Sequence, residues 1–331
     1  ASDLHVVDGD LPETLPIVLG HEASGTVAET GPGVERLAPG DHVVLALVPS
    51  CGSCVSCRRG RPLFCELFGR TASQGMLADG TSRLSLDGMT LHHFNSISSF
   101  AEYAVVPESA AVAVRRDVAL DSAALVSCAV ITGYGAVLNT AEVEAGASVA
   151  VWGCGGVGLN VIQAARLAGA ERVVAVDTRP EKLKLARRLG ATDAVETGSG
   201  VDAVTAVHDL IPAGVDYAFE AIGREATINE AWEAVRSGGT VVVVGLMPKG
   251  STLTIDPWGF INEKTLKGCF LGTPRIERDI PRLVELAHEG KLELEALVSR
   301  RISLDELPEA FERLRAGAAV RQLVVFDSAA G

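Results

Sequence analysis

The chain has 331 residues, 47% hydrophobic and 21% charged, which is long enough for two domains with separate cores. A formal charge of −13 argues against nucleic acid or an anionic membrane as partner, since both would repel such a surface. No apolar run reaches the ~18 residues of a membrane span, and the opening residues lack the basic-then-apolar order of a secretory signal.

Residues 1 to about 130 read mainly as β-structure. Val-rich stretches between Gly20 and Leu47 are broken by Gly31-Pro32-Gly33 and Pro39-Gly40-Asp41, a strand–turn–strand rhythm. Residues 66–99, rich in Gly and Ser, read as a long surface excursion. From Ser148 the pattern changes to strand–helix alternation. Strands are expected at Ser148–Trp152, Arg172–Asp177, Val215–Ala221 and Thr240–Leu246, and helices at Val157–Ala168, Pro180–Leu189 and Ala226–Val235. Such alternation implies a parallel sheet covered on both faces. Near the end, Ser303 and Glu306 form a capping box before a helix that Gly317 stops, and Gln322–Phe326 reads as a last strand.

Gly153-Cys154-Gly155-Gly156-Val157-Gly158 matches G-x-G-x-x-G between a strand and a helix, and Asp177 ends the next strand nineteen positions later. Gly153 permits the tight turn, Gly155 lets a pyrophosphate approach the backbone, and Gly158 lets helix and strand pack closely. Gly156 and Val157 open the helix whose N–H groups and dipole suit an anion. Asp177 is expected to bind the adenine-ribose hydroxyls and to repel a 2′-phosphate, so NAD is favoured over NADP. Lys182 is placed to reach the same ribose.

Four of the seven cysteines, Cys51-x2-Cys54-x2-Cys57-x7-Cys65, crowd into one loop. That pattern, in a chain with an odd cysteine count, points to metal in a reducing cytoplasm rather than to disulfides. Four thiolates suit tetrahedral zinc and leave no open position, so the ion would be structural. A ferredoxin motif begins the same way, but the fourth spacing differs and no Pro follows Cys65.

The lobe, the Gly20-His21-Glu22 motif before it, and Ser127-Cys128 and the Gly-rich turn after it together resemble the zinc-containing medium-chain alcohol dehydrogenases over essentially the whole chain. The resemblance implies an α/β fold in two parts. A GroES-like, β-rich catalytic domain would span 1–130 with the zinc lobe at 50–66, and a Rossmann NAD-binding domain with a doubly wound parallel sheet 131–272. Residues 273–331 would return to the catalytic domain.

It further implies two zincs. The catalytic one would be held by His21, by Cys128 and by a Cys two residues before the Ser2-Asp3 pair, which would precede Ala1. The abrupt start is therefore expected to reflect a missing N-terminal piece, leaving the lobe zinc firmly held and the catalytic zinc poorly held. Asp3 and Glu22 would be carboxylates behind the ligands, one of them orienting His21. An alcohol bound at the open metal position would lose its proton and pass hydride to NAD. The proton would leave through Ser2, the nicotinamide ribose and His5, groups that both accept and donate protons. Thr132 and Arg321 match positions where the family touches cofactor. His42, His92, His93, His208 and His288 are expected to have no functional role, with His92 and His93 facing solvent.

Cys128 sets the chain apart from polyol and threonine dehydrogenases, which resemble it but place Glu there. The expected substrates are primary alcohols and aldehydes. A thiol-dependent formaldehyde dehydrogenase, acting on S-(hydroxymethyl)glutathione-type adducts, is the alternative; that branch has an aromatic residue where His5 stands. A non-catalytic NAD-binding structural module is a second alternative. The resemblance also implies a homodimer, or a tetramer, paired through an edge strand at Leu266–Leu271.

Overall fold

Two units divide the residues described, 2–198 and 200–326, in the computed structural model. One takes in Cys128 and the residues before it together with Arg275 and those after it; the other is Ala129–Pro274.

Short β-branched runs separated by turns give the first unit small sheets rather than one large one. Its strands are β1 (Ile17–Val18), β2 (Ser24–Thr26), β3 (His42–Leu45), β4 (Leu84–Leu86), β5 (Met89–His93) and β6 (Ala111–Val114). β3 lies between β2 and β6 in an antiparallel sheet, and Val43, Val44, Leu45 and Leu47 carry the chain into the core. Gly40 makes the turn into β3 with φ +89°.

Residues 66–99 differ from the expected surface excursion. They begin with a helix, Glu66–Ala72, and continue as the β4–β5 hairpin, in which β5 also pairs parallel with β1. That pairing turns the following chain inward, and Phe94 and Ile97 are each 1% exposed. His93 is buried as well, not solvent-facing: its Nε2 accepts from the Arg83 N–H at 3.2 Å. The Gly and Ser content of this stretch masked an apolar anchor only a few residues long. A short helix, Ser2–Val7, also stands in a region expected to be mainly β.

In the second unit every strand of the sheet is parallel. β7 (Ser148–Trp152), β8 (Arg172–Asp177), β9 (Asp193–Glu196), β10 (Val215–Glu220), β11 (Val235–Val243) and β12 (Thr265–Gly268) lie in the order β12-β11-β10-β7-β8-β9. The expected strands at Ser148–Trp152 and Arg172–Asp177 have these bounds. β11 begins and ends earlier than expected, and the edge strand β12 stops at Gly268. Helices Gly156–Leu167, Pro180–Arg188 and Glu225–Ala234 connect the strands. Both faces are covered, and the strand centres are apolar: Ala150, Trp152, Val174, Val176, Ala218 and Val241 pack with Trp232.

The chain after Arg275 adds helix Ile276–His288, which packs on β6, and a parallel pair, β13 (Val298–Ile302) with β14 (Arg321–Val324). Between them, Glu306 Oε2 accepts from the Ser303 N–H at 3.0 Å in the expected capping box, and Gly317 takes φ +66° where the helix ends. No single helix among the described residues is long and apolar enough to cross a membrane.

Helix Ala129–Gly135 owes its place to two glycines: a Cβ on Gly135 would lie 2.1 Å from the Gly272 carbonyl oxygen. Gly135→Ala is therefore expected to cost about 2–3 kcal/mol by overpacking, a fall of roughly 5–10 °C in Tm. An unchanged melting curve would mean that this contact gives way freely.

Candidate functional site

In the first unit, Asp3 on the N-terminal helix is buried, and its carboxylate does two things. Oδ1 accepts from the Gly20 N–H at 2.8 Å, and Oδ2 lies 2.8 Å from His21 Nδ1. Gly20 has φ +96°, and a Cβ there would stand 2.5 Å from the Phe100 nitrogen, so only glycine lets the chain turn His21 onto Asp3. Phe94 meets the His21 ring edge-on with centroids 5.5 Å apart, which walls the imidazole from water.

Burial alone would drive the proton off His21, but the Asp3 carboxylate outweighs it and raises the pKa to about 10. Burial likewise opposes the Asp3 carboxylate, yet the imidazole brings it down to about 2. Nδ1 thus keeps its proton toward Asp3, and Nε2 is the nitrogen free to exchange its own proton for a metal.

Nε2 is buried without a hydrogen-bond partner among the described residues. Its polar neighbours are Cys128 and Glu22, and ligand atoms of His21, Glu22 and Cys128 lie within 4.8 Å of one another. A buried orphan nitrogen facing a thiol and a carboxylate fits a divalent metal of intermediate softness. Cys128 reaches this place through a clamp that no local sequence pattern marks: Ser127 Oγ donates to the Ala23 carbonyl at 2.8 Å and accepts from the Ala23 N–H at 3.1 Å. Glu22 Oε1 lies 3.9 Å from His21 Nε2 and 3.7 Å from Arg321 on β14, so Arg321 stands beside the acid. Ser2 lies one residue before Asp3. His5 is part-exposed, with Nδ1 at 3.1 Å from Asp10 Oδ2.

The cysteine lobe is a second possible ion site. Sulfur atoms of Cys51, Cys54, Cys57 and Cys65 lie within 4.8 Å of one another, and none is in a disulfide. Backbone N–H groups point at sulfur, from Cys51 to Cys65 at 3.3 Å and from Cys54 to Cys51 at 3.4 Å. Gly52 and Gly60, both at φ +71°, bend the loop around them. The Ser53 N–H and hydroxyl draw the Cys51 thiol down to about 6, while burial and the Cys54 thiol push Cys57 up to about 12. Thiolates this close repel one another, and a cation among them removes that conflict.

In the second unit, the Gly-rich turn follows β7. Gly153 takes φ +91°, and a Cβ on Gly158 would be 1.8 Å from the Gly153 carbonyl oxygen. A Cβ on Gly155 would meet nothing within 4 Å, so the space in front of the helix that Gly156 and Val157 begin is open to a phosphate. Asp177 is partly engaged already: Oδ2 accepts from the Cys154 N–H at 2.7 Å and Oδ1 from the Arg179 N–H at 3.0 Å. Each oxygen keeps a lone pair for a ribose hydroxyl. Lys182, on the following helix, is near enough to act on the Cys154 thiol electrostatically. Buried Thr132 lies on helix Ala129–Gly135, which packs on Gly156–Leu167.

Two metal-binding outcomes follow. Asp3→Asn should weaken zinc at His21 by about 10–100-fold, the usual effect of losing the partner behind a histidine ligand, and leave the lobe zinc in place. Because a proton on Nε2 competes with the ion below a pKa of about 10, and a thiol ligand gives up its proton as well, zinc affinity there should rise at least about tenfold per pH unit across neutrality. Chelator competition with metal analysis reads both; pH-independent affinity, or equal loss of both ions, would contradict them.

The chain is similar to known proteins over nearly its whole length. Residues 1–116 match the alcohol dehydrogenase GroES-like domain family, and residues 156–289 the zinc-binding dehydrogenase family. An S-(hydroxymethyl)glutathione dehydrogenase of Paracoccus denitrificans is 36% identical over 98% of this chain and 89% of its own length. Among solved structures, an alcohol dehydrogenase zinc-binding domain protein from Burkholderia ambifaria superposes with a TM-score of 0.93 at 36% identity. Benzyl alcohol dehydrogenase from Acinetobacter calcoaceticus does so with 0.92 at 33%; each alignment covers 98% of this chain and 88% of the other. The chain belongs to the zinc-containing medium-chain alcohol dehydrogenase family, and is an oxidoreductase with zinc and NAD as its cofactors.

Proposed function

We propose that the chain oxidises primary alcohols, and reduces the corresponding aldehydes, with catalytic residues in 1–130 and 273–331 and NAD bound in 131–272. The observation that carries this is the buried His21, with Nδ1 on Asp3 and an unpartnered Nε2 facing Cys128 and Glu22. When bound there, zinc supplies a Lewis acid that makes an alcohol hydroxyl acidic near neutrality, and NAD supplies the hydride acceptor.

The residues do the remaining work. Asp3 holds the His21 tautomer, and His21 and Cys128 give one nitrogen and one sulfur ligand. Glu22, tethered by Arg321, offers a nearby carboxylate that assists ligand exchange. Phe94 keeps water from the ligand histidine. Ser2 Oγ accepts the substrate proton as it hands its own hydroxyl proton onward, and His5, with Asp10 behind it, is the last group to take that proton and release it to solvent. The Gly-rich turn binds the pyrophosphate, with Thr132 as a further cofactor contact, and Asp177 with Lys182 the adenine ribose. The four lobe cysteines hold the structural ion.

A second reading is oxidation of a thiol–formaldehyde adduct, favoured by the activity for which the Paracoccus relative is named. NADH formation separates the two. Benzyl alcohol and short primary alcohols should turn over without added thiol; turnover of formaldehyde that requires glutathione, with none on alcohols, would reverse the ranking. His5→Ala should slow alcohol oxidation by roughly 10²-fold, with partial rescue by free imidazole. Full activity without His5 would remove it from the proton path.

Self-association is part of the same proposal. β12 is an edge strand, and Trp258, Phe260 and Ile261, just before it, are 67%, 53% and 72% exposed. Ile261→Asp should convert a dimer to monomer in sedimentation; a wild-type monomer would dismiss this face.

A further inference from the structure

Glu220 has no part in the activity proposed above, yet it is 0% exposed at the last position of β10. It lies in register with Trp152, the residue before Gly153. β7 and β10 are the strands at which the order of the sheet reverses, so Glu220 stands where a doubly wound sheet opens its ligand crevice. Oε1 accepts three hydrogen bonds: from the Ile222 N–H at 3.0 Å, the Gly223 N–H at 2.8 Å and the Thr227 hydroxyl at 2.8 Å. Its backbone carbonyl accepts from the Val244 and Gly245 N–H groups at 2.8 and 2.9 Å. Oε2 is buried with no hydrogen-bond partner among the described residues. A buried acid is costly at any strand end, and this one gathers donors from the chain that leaves β10.

The turn it holds is tightly fitted. A Cβ on Gly223, at φ +88°, would be 2.3 Å from the Leu246 carbonyl oxygen. One on Gly245 would be 2.1 Å from the Gly223 nitrogen and 2.7 Å from Glu220 Oε2, and one on Gly153 would be 2.6 Å from Ile222 Cγ1. Ala221 N–H also donates to the Trp152 carbonyl at 2.9 Å. The segments that follow β7, β10 and β11 therefore meet around one carboxylate.

We propose that Glu220 is a positioning residue for the dinucleotide: it fixes the turn from Ala221 to Arg224 against the Gly-rich turn and so sets the shape of the NAD crevice. This rests on the NAD-dependent activity. Glu220 acts through the turn, by its acceptor oxygen. Without that oxygen the Ile222 and Gly223 N–H groups lose their partner, and the wall beside Gly153 is released.

The test measures NADH dissociation constants by fluorescence, well below the ligand-free melting temperature, for the wild type and for E220A, E220Q and T227V, with zinc content alongside. E220A should bind NADH about tenfold or more weakly with zinc content unchanged. E220Q, whose amide oxygen keeps the three donors, should stay within about threefold of wild type, and T227V should fall between. Wild-type affinity in folded E220A would overturn the proposal, as would E220Q binding as weakly as E220A. If E220A does not fold, T227V decides: about threefold weaker binding supports the role, and unchanged binding overturns it. A wild-type protein that binds no NADH would overturn the NAD-dependent activity itself, and this role with it.

Discussion

The buried pair of Asp3 and His21 is the constraint around which the first unit is arranged. An imidazole with 2% exposure is costly to place unless both nitrogens have work, and Asp3 occupies only one. Gly20 must be glycine to bring His21 onto Asp3, Phe94 must come inward to cover the ring, and Ser127 must clamp Ala23 to deliver Cys128. Four segments far apart in sequence thus converge on one nitrogen.

The second unit solves a different problem with the same economy of polar groups. Its strands are apolar at their centres, and an acid stands at the carboxyl end of both β8 and β10. There Asp177 ties the Gly-rich turn to β8, and Glu220 ties the turn after β10 to its neighbours. Both acids spend part of their acceptor capacity on backbone N–H groups, which holds a glycine-rich surface in one conformation. In the lobe, four sulfurs crowd together with backbone N–H groups aimed at them, an arrangement of negative charge that a cation completes.

Much of this was legible in the sequence, for physical reasons that differ by region. β7 and β8 are continuous apolar runs bounded by glycine and by an acid, so their ends are sharp in the sequence and match the structure. The Gly-x-Gly-x-x-Gly turn and the cysteine spacing are local patterns whose chemistry is specific, whereas a carboxylate behind His21 was implied only by the family resemblance, and its identity as Asp3 is visible only in the fold. The β4–β5 hairpin was not legible, because its anchor is only Phe94 and Ile97 within a Gly- and Ser-rich stretch. His93 was misplaced for the same reason: burial there depends on a parallel pairing with β1 that no local pattern encodes. Ser127 and Glu220 were missed because their partners, Ala23 and the turn at Ile222, are visible only once the chain is folded.

The most direct measurement is histidine-selective nitrogen-15 NMR of the protein titrated with zinc or cadmium. One imidazole, assigned by loss in His21→Ala, is expected to keep Nδ1 protonated throughout while its Nε2 resonance shifts on metal binding, with coupling to cadmium-113. A His21 Nε2 that keeps its proton and is unmoved by either ion would contradict it.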